Sequence, residues 1–185
     1  MKIRRRPFNI YLPTSVALAL ALLCSCQSEA SKKHHRVSTM HLHLEVNPDP
    51  TPFSETVSIE REHPFQVHIE KEPFLTEAHV AKAQLVDDHG VFEIQVHFDK
   101  EGTMLLEQYS AANREKRFAI YSQFFPPFEE KINDGRWLAA PKIHKRISDG
   151  VLLFTPDATR EEAEQIVLGL NNIGLQLDSD SKKIW

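Results

Sequence analysis

Residues 84–98 read QLVDDHGVFEIQVHF, and this stretch sets the fold class. Val91, Glu93, Gln95 and His97 alternate with Phe92, Ile94, Val96 and Phe98, which is the period of a strand with one polar and one apolar face. His89-Gly90 separates that strand from residues 84–88, and glycine supplies the positive φ that a tight antiparallel hairpin requires. Upstream, Thr76 predicts the cap of a short helix over 76–83, with Val80 turned inward. Before it, Phe65, Val67 and Ile69 alternate with polar neighbours in a strand that stops ahead of Pro73. Met40, Leu42, Leu44 and Val46 alternate with His41, His43 and Glu45 in another, closed by NPDPTP at 47–52. Residues 47–64 mix turn formers with room for one short strand, and the sequence leaves their fold open.

Downstream, Leu105, Tyr109 and Ala112 fall at helical spacing within 101–112, and Asn113 is a suitable stop. RFAIYS (117–122), 137–140 and VLLF (151–154) read as strands, and the proline-broken 123–134 as a packed loop. Thr159-Arg160-Glu161-Glu162 is a capping box opening a helix with the apolar stripe Ala163, Ile166, Val167, Leu170 and Ile173. Gly174 is expected to end that helix, leaving 175–185 as a tail. The element order describes an α+β domain over 39–174, a mixed or antiparallel sheet with helices packed on one face.

The chain has 185 residues, 41% hydrophobic and 26% charged, which fits one compact domain and excludes disorder, collagen and a multi-pass membrane protein. Four of its 22 Lys and Arg are Lys2, Arg4, Arg5 and Arg6, so the remainder sets 18 cations against 26 acids, a charge of -8. Phosphate backbones repel such a chain, the sequence displays no basic patch, and no nucleic acid partner is expected.

The first residues form an address. Lys2, Arg4, Arg5 and Arg6 precede an apolar run, VALALALL at 16–23, too short to span a bilayer but right for a secretory signal. Leu23-Cys24-Ser25-Cys26 resembles a bacterial lipobox, with a branched residue at -3, a small one at -1 and Cys26 as the residue that receives diacylglycerol. The expected division is a lipoprotein signal over 1–25 and a polar tether over 26–38, with the domain anchored to the cell envelope by acyl chains on Cys26 and facing the periplasm or cell exterior.

Pro73-Phe74-Leu75-Thr76, Val80, Ala83, the hairpin and Glu101-Gly102 occur in a characteristic order. They are continued by Asn113, Arg117-Phe118-Ala119-Ile120, AAPKIHKRISDG at 139–150, Phe154-Thr155 and Glu162-Ala163. That order, over about 73–170, resembles the head subdomain of the first periplasmic domain (P1) of SecD, a subunit of the SecDF export complex. The phrase at 139–150 is the most specific part. FFPPFEEKIN (124–133) departs from the family by intervening before Asp134-Gly135. The resemblance implies the P1 head fold and a surface that handles polypeptides. It carries over none of the proton-coupled machinery that SecD holds in its membrane helices.

Two constellations invite a functional reading. Phe124, Phe125, Phe128 and Trp137 are candidates for an apolar patch that binds polypeptide, against the alternative that they complete the core. His41 and His43 share one strand face, and Asp87-Asp88-His89-Gly90 forms a polar hairpin tip, but neither supplies the further ligands of a closed metal site. The sequence contains no Gly-x-Ser-x-Gly elbow, no His-Glu-x-x-His and no glycine-rich phosphate loop. The expectation is a non-enzymatic, lipid-anchored envelope protein that binds or positions protein partners, without cofactor or metal. The alternative is a small secreted enzyme or metal-binding protein that uses the histidine face.

Overall fold

A computed structural model describes residues 36–183 other than 50, 128, 130 and 134. The signal over 1–25, Cys26, the tether as far as residue 35, and Phe128 lie outside the described residues. Among the described residues the strands are β1 (His41–Leu44), β2 (Ser54–Ile59), β3 (Phe65–Glu70), β4 (Leu75–Thr76), β5 (Val80–Asp88), β6 (Val91–Phe98), β7 (Phe118–Ser122), β8 (Arg136–Ala139) and β9 (Val151–Phe154). Two helices accompany them, α1 (Lys100–Ala112) and α2 (Arg160–Lys183). The class is α+β, as the sequence implies, but three antiparallel sheets replace the single expected one. Their orders are β4-β1-β7-β8, β2-β3 and β5-β6-β9.

The β5–β6 hairpin forms as read: His89 (φ 47) and Gly90 (φ 88) both occupy the left-handed region that a two-residue turn demands. Ile94, Val96 and Phe98 point into the core. The helix expected over 76–83 does not form. Only a 3-10 turn spans Glu77–His79, Thr76 makes no side-chain cap, and β5 begins at Val80. Alanine and lysine favour helix locally, yet pairing of Lys82 and Ala83 with His97 and Val96 of β6 prevails over a helix of only about two turns. The open span 47–64 contributes β2, which pairs with β3 along its full length.

The phrase AAPKIHKRISDG is a crossing between two sheets. Ala139 and Ala140 are buried, the Pro141 carbonyl accepts from the Phe118 amide at 3.1 Å, and Ile143 exchanges backbone bonds with Lys116 and Glu115 at 2.8 and 2.9 Å. The Ile147 amide donates to Ser110 Oγ of α1 at 2.9 Å. Gly150 sits at φ +70, where a Cβ would collide with the Thr103 side chain, and its carbonyl accepts from the Phe98 amide at 2.9 Å.

The crossing has an electrostatic result that linear reading missed. It lays Lys142, Lys145 and Arg146 beside Arg114, Lys116 and Arg117, which are joined to them through the Arg117–Lys142 bridge. Glu115 pairs with Lys142 at 2.7 Å and Glu107 pairs with Arg146, leaving cations in excess. The crossing therefore gathers basic residues that lie about thirty positions apart in the sequence.

The capping box closes reciprocally: Glu162 N–H donates to Thr159 Oγ1 at 3.2 Å, and Thr159 N–H donates to Glu162 Oε2 at 2.8 Å. Helix α2 then runs beyond Gly174 to Lys183, so the expected tail is helical in backbone. Gly174 serves close approach rather than termination, since a Cβ there would stand 3.3 Å from the Val80 carbonyl. Residues 36–38, read as tether, dock on this helix. The Arg36 guanidinium donates to Gln165 Oε1 at 3.0 Å, the Arg36 carbonyl accepts from Asn172 at 2.7 Å, and Ser38 is fully buried against Gly169.

Leu42, Leu44, Leu75, Ile94, Phe118, Ile120, Leu138 and Ile166 belong to the main core, which the four-stranded sheet, the three-stranded sheet and both helices enclose. A smaller core of Ile59, Val67, Ile69, Ala119 and Ala140 lies between the β2–β3 hairpin and the other face of the four-stranded sheet. The outer edge of β5 is covered at Ala83 by a side chain: Asn171 of α2 accepts from the Ala83 amide at 2.8 Å and donates to the Ala83 carbonyl at 2.9 Å. Asn171→Ala leaves both backbone groups without these partners and is expected to lower unfolding stability by about 2 kcal/mol, read as a shift in urea midpoint with the slope unchanged.

Candidate functional site

Strand β1 is flanked by apolar contacts on both sides, so its alternate residues part company: Leu42 and Leu44 enter the main core while His41 and His43 take the opposite face. There they join Tyr121 of β7 and Trp137 of β8. His41 lies opposite Tyr121 and Tyr121 opposite Trp137 in strand register, which makes a lateral row across three strands. Ring centroids are 6.0 Å apart for His41–Tyr121 and 5.2 Å for Tyr121–Trp137, and His43 meets Trp137 edge-on at 5.1 Å. Gly135 (φ 85) makes the row possible, because a Cβ at that position would strike the Tyr121 hydroxyl. Sequence reading missed Tyr121; its place two residues beyond Ala119 in RFAIYS puts it on this face once strand register is known.

The two histidines behave differently. His43 is 7% exposed and its Nδ1 lies 2.9 Å from the Glu70 carbonyl oxygen. A carbonyl can only accept, so Nδ1 carries the proton and donates. Burial pulls the His43 pKa below its ordinary value of 6.5, with help from the neighbouring His41, and this outweighs the opposing pull of the Glu70 carbonyl and the Glu55 charge. His41 is half-buried, with Nε2 3.6 Å from the Glu77 carboxylate, which also accepts from the Met40 amide at 3.0 Å. The rings are 6.2 Å apart at their centroids and each has its own partner, so the strand face does not present a joined pair of metal ligands. Among the described residues no three of His, Cys, Asp and Glu converge as a metal site. At the hairpin tip, Asp87 is engaged by Arg160.

The phenylalanine segment divides. Phe124 is fully buried, with the Arg136 guanidinium 5.1 Å from its ring centroid and its backbone tied to Asn133 by two bonds of 2.9 Å, so it serves the core and not the surface. A phenylalanine on a domain of this size is more stabilising inside than out, by about 1.5–3 kcal/mol. Phe125 is half-buried beneath the Arg36 guanidinium at 5.8 Å. Trp137 is half-buried against the smaller core. The row of His41, Tyr121 and Trp137 therefore offers flat ring surface with polar atoms at its margin, a composition suited to contact with another chain.

A second titrating group, Glu162 of α2, meets the first residue of β8. Burial alone would raise the Glu162 carboxyl, but the Arg136 bond at 2.6 Å, the Thr159 amide and the charges of Arg136 and Arg61 hold it below its ordinary 4.5. Signs follow for both groups. A lowered histidine pKa favours the neutral native form, so stability is lost as pH falls through 6.5 toward the folded value; a lowered carboxyl pKa removes stability only as pH falls below 4.5. Urea midpoints are expected to fall between pH 7.5 and 5.5 in the wild type and to fall less in His43→Phe, whereas Glu162→Gln is expected to flatten the profile below pH 4.5.

Residues 54–177, about two thirds of the chain, match the family described as SecDF, P1 head subdomain. One similar solved structure, of a membrane component SecDF that enhances protein export, is 22% identical with a TM-score of 0.52, over 79% of this chain and 67% of that one. Another, SecDF in its super-membrane-facing form, is 21% identical with a TM-score of 0.51, over 80% of this chain and 21% of that one. This chain thus spans about a fifth of that SecDF chain. No curated protein matches. Among the described residues no helix is long and apolar enough to cross a membrane. The β5–β6 hairpin, the 139–150 crossing and every strand of the two-sided sheet except β1 lie within the matched span, and the chain belongs to the SecDF P1 head subdomain family.

Proposed function

We propose that this protein is a lipid-anchored envelope component whose P1 head domain binds or positions polypeptide partners, linked to protein export but without a translocase motor. The observation that carries the reading is the family match over 54–177, because the solved relative of that fold is a membrane component that enhances protein export. The half-buried row of His41, Tyr121 and Trp137, with Phe125 on the neighbouring loop, is the proposed contact surface. Phe128 belongs to the same proposed segment by sequence.

The anchor rests on Leu23-Cys24-Ser25-Cys26, which supplies the acceptor thiol at Cys26. A membrane-held domain searches a thin layer of solvent for its partner, so weak contacts act at raised effective concentration. No cofactor is required by this role, and none of its steps breaks a covalent bond.

Two measurements test the reading. Intact mass and membrane fractionation are expected to show acylated, membrane-bound wild type and an unmodified, released Cys26→Ser variant; equal behaviour of the two would remove the anchor. A photo-crosslinking residue in place of Trp137 is expected to trap envelope polypeptides in cells, and absence of any adduct there would remove the contact surface.

A further inference from the structure

The basic residues gathered by the crossing and the free edge of the three-stranded sheet meet in one groove. Segment 141–149 and β9 enclose a cleft of about 520 Å³, with the buried Ile143 and Leu152 and the charged Lys142, Lys145, Arg146 and Asp149 in its lining; Lys142 and Arg146 are ion-paired with Glu115 and Glu107, and Asp149 is bonded to the Val151 amide. Its size falls within the range of ligand clefts.

The hydrogen-bond phase of β9 decides what the cleft presents. Phe98 N–H donates to the Gly150 carbonyl, and the register continues through Val96 opposite Leu152 and Ile94 opposite Phe154. In an antiparallel ladder bonded pairs alternate, so Gly150, Leu152 and Phe154 face β6, and the amides and carbonyls of Val151 and Leu153 face away. The Val151 amide is taken by Asp149 Oδ1 at 3.1 Å. The Leu153 amide and carbonyl and the Val151 carbonyl have no partner among the described residues, and the Leu153 side chain is 45% exposed.

Other edges of the two larger sheets are covered in part. Asn171 covers β5 at Ala83, Asp157 N–H donates to the Leu138 carbonyl of β8 at 2.6 Å, and β4 is two residues long. Strand β9 differs in that its uncovered edge at Leu153 lines a cleft beside basic side chains.

We propose that β9 is a strand-addition site for an extended, acidic polypeptide segment, whose backbone pairs with Leu153 and whose carboxylates meet Lys145, flanked by the ion-paired Lys142 and Arg146. This rests on the polypeptide-binding reading above and gives it a specific surface, separate from the aromatic row. Main-chain pairing gives affinity irrespective of sequence, and the basic wall selects acidic segments. Nucleic acid or anionic lipid would satisfy the cations but leave the Leu153 edge unpaired, so polypeptide is the occupant that uses both features.

The test uses the full chain in detergent and a fluorescein-labelled octapeptide of alternating aspartate and valine. Anisotropy is expected to show saturable binding that weakens about tenfold with Lys145→Glu and about tenfold when alternate peptide amides are N-methylated. Leu153→Pro, at an outward-facing edge amide that tolerates proline, is expected to give the same loss with unchanged circular dichroism. If Leu153→Pro does not fold, the N-methylated peptide carries the same test without altering the protein. Equal binding of the methylated and parent peptides overturns the proposal, as does stronger binding to phosphatidylglycerol vesicles or a DNA oligonucleotide that Lys145→Glu abolishes while the peptide is unaffected. Crosslinks at position 137 without octapeptide binding would sink the groove and leave the general reading standing; loss of both would remove both.

Discussion

The four-stranded sheet is packed on both faces, and the rest of the domain is arranged to satisfy it. Leu42, Ile120 and Leu138 need a cover on one side, which the helices and the three-stranded sheet supply; Ala119 and Ala140 need one on the other, which the β2–β3 hairpin supplies. A strand obliged to bury both faces cannot keep its polar alternates in water. His43 is the consequence: it sits inside, neutral, with its one donated hydrogen bond directed at the Glu70 carbonyl of β3. The hairpin covers only part of the face, and the remainder is the aromatic row.

Polar groups at the seams hold these layers in register. Glu162 is the busiest, closing the α2 capping box while binding Arg136 of β8 at 2.6 Å and lying 3.9 Å from Arg61 beyond β2. Three parts of the chain far apart in sequence thus share one carboxylate. Asn171 acts similarly at the β5 edge, where its carboxamide takes the place of a neighbouring strand's peptide group. These contacts are made by side chains whose sequence neighbours are unremarkable, which is why edge closure is invisible until the fold is known.

Much of the fold is legible in the sequence where neighbours in the chain are also neighbours in space. The β5–β6 hairpin, the Asn113 stop, the capping box and strands β7 and β9 come from local periodicity and local hydrogen bonds. The misreadings share a cause. Residues 76–83 have helical composition but are claimed by β6, and Gly174 looks like a helix end but is a point of contact with β5. Phe124 illustrates the limit for sites: an aromatic in a proline-rich loop reads equally as patch or core, and only its burial beside Arg136 separates the two. The family phrase at 139–150 was readable as a signature, although its content is structural: Ile143, Ile147 and Gly150 each lock the crossing to a different element.

By itself the sequence determined the α+β class, the strand alternation, the Thr159–Glu162 capping box and the Asn113 stop, because those depend on residues within a few positions of one another. It also determined the net acidity. Tertiary structure alone decided where charge and free backbone would gather. Arg114, Lys116 and Arg117 are a short charged turn in the chain, and Lys142, Lys145 and Arg146 another, about thirty residues later. Backbone bonds between Lys116 and Ile143 set the two side by side next to the unpaired edge of β9. A charge average along the chain cannot register that juxtaposition, since it arises from which strands pair and which edge is left open.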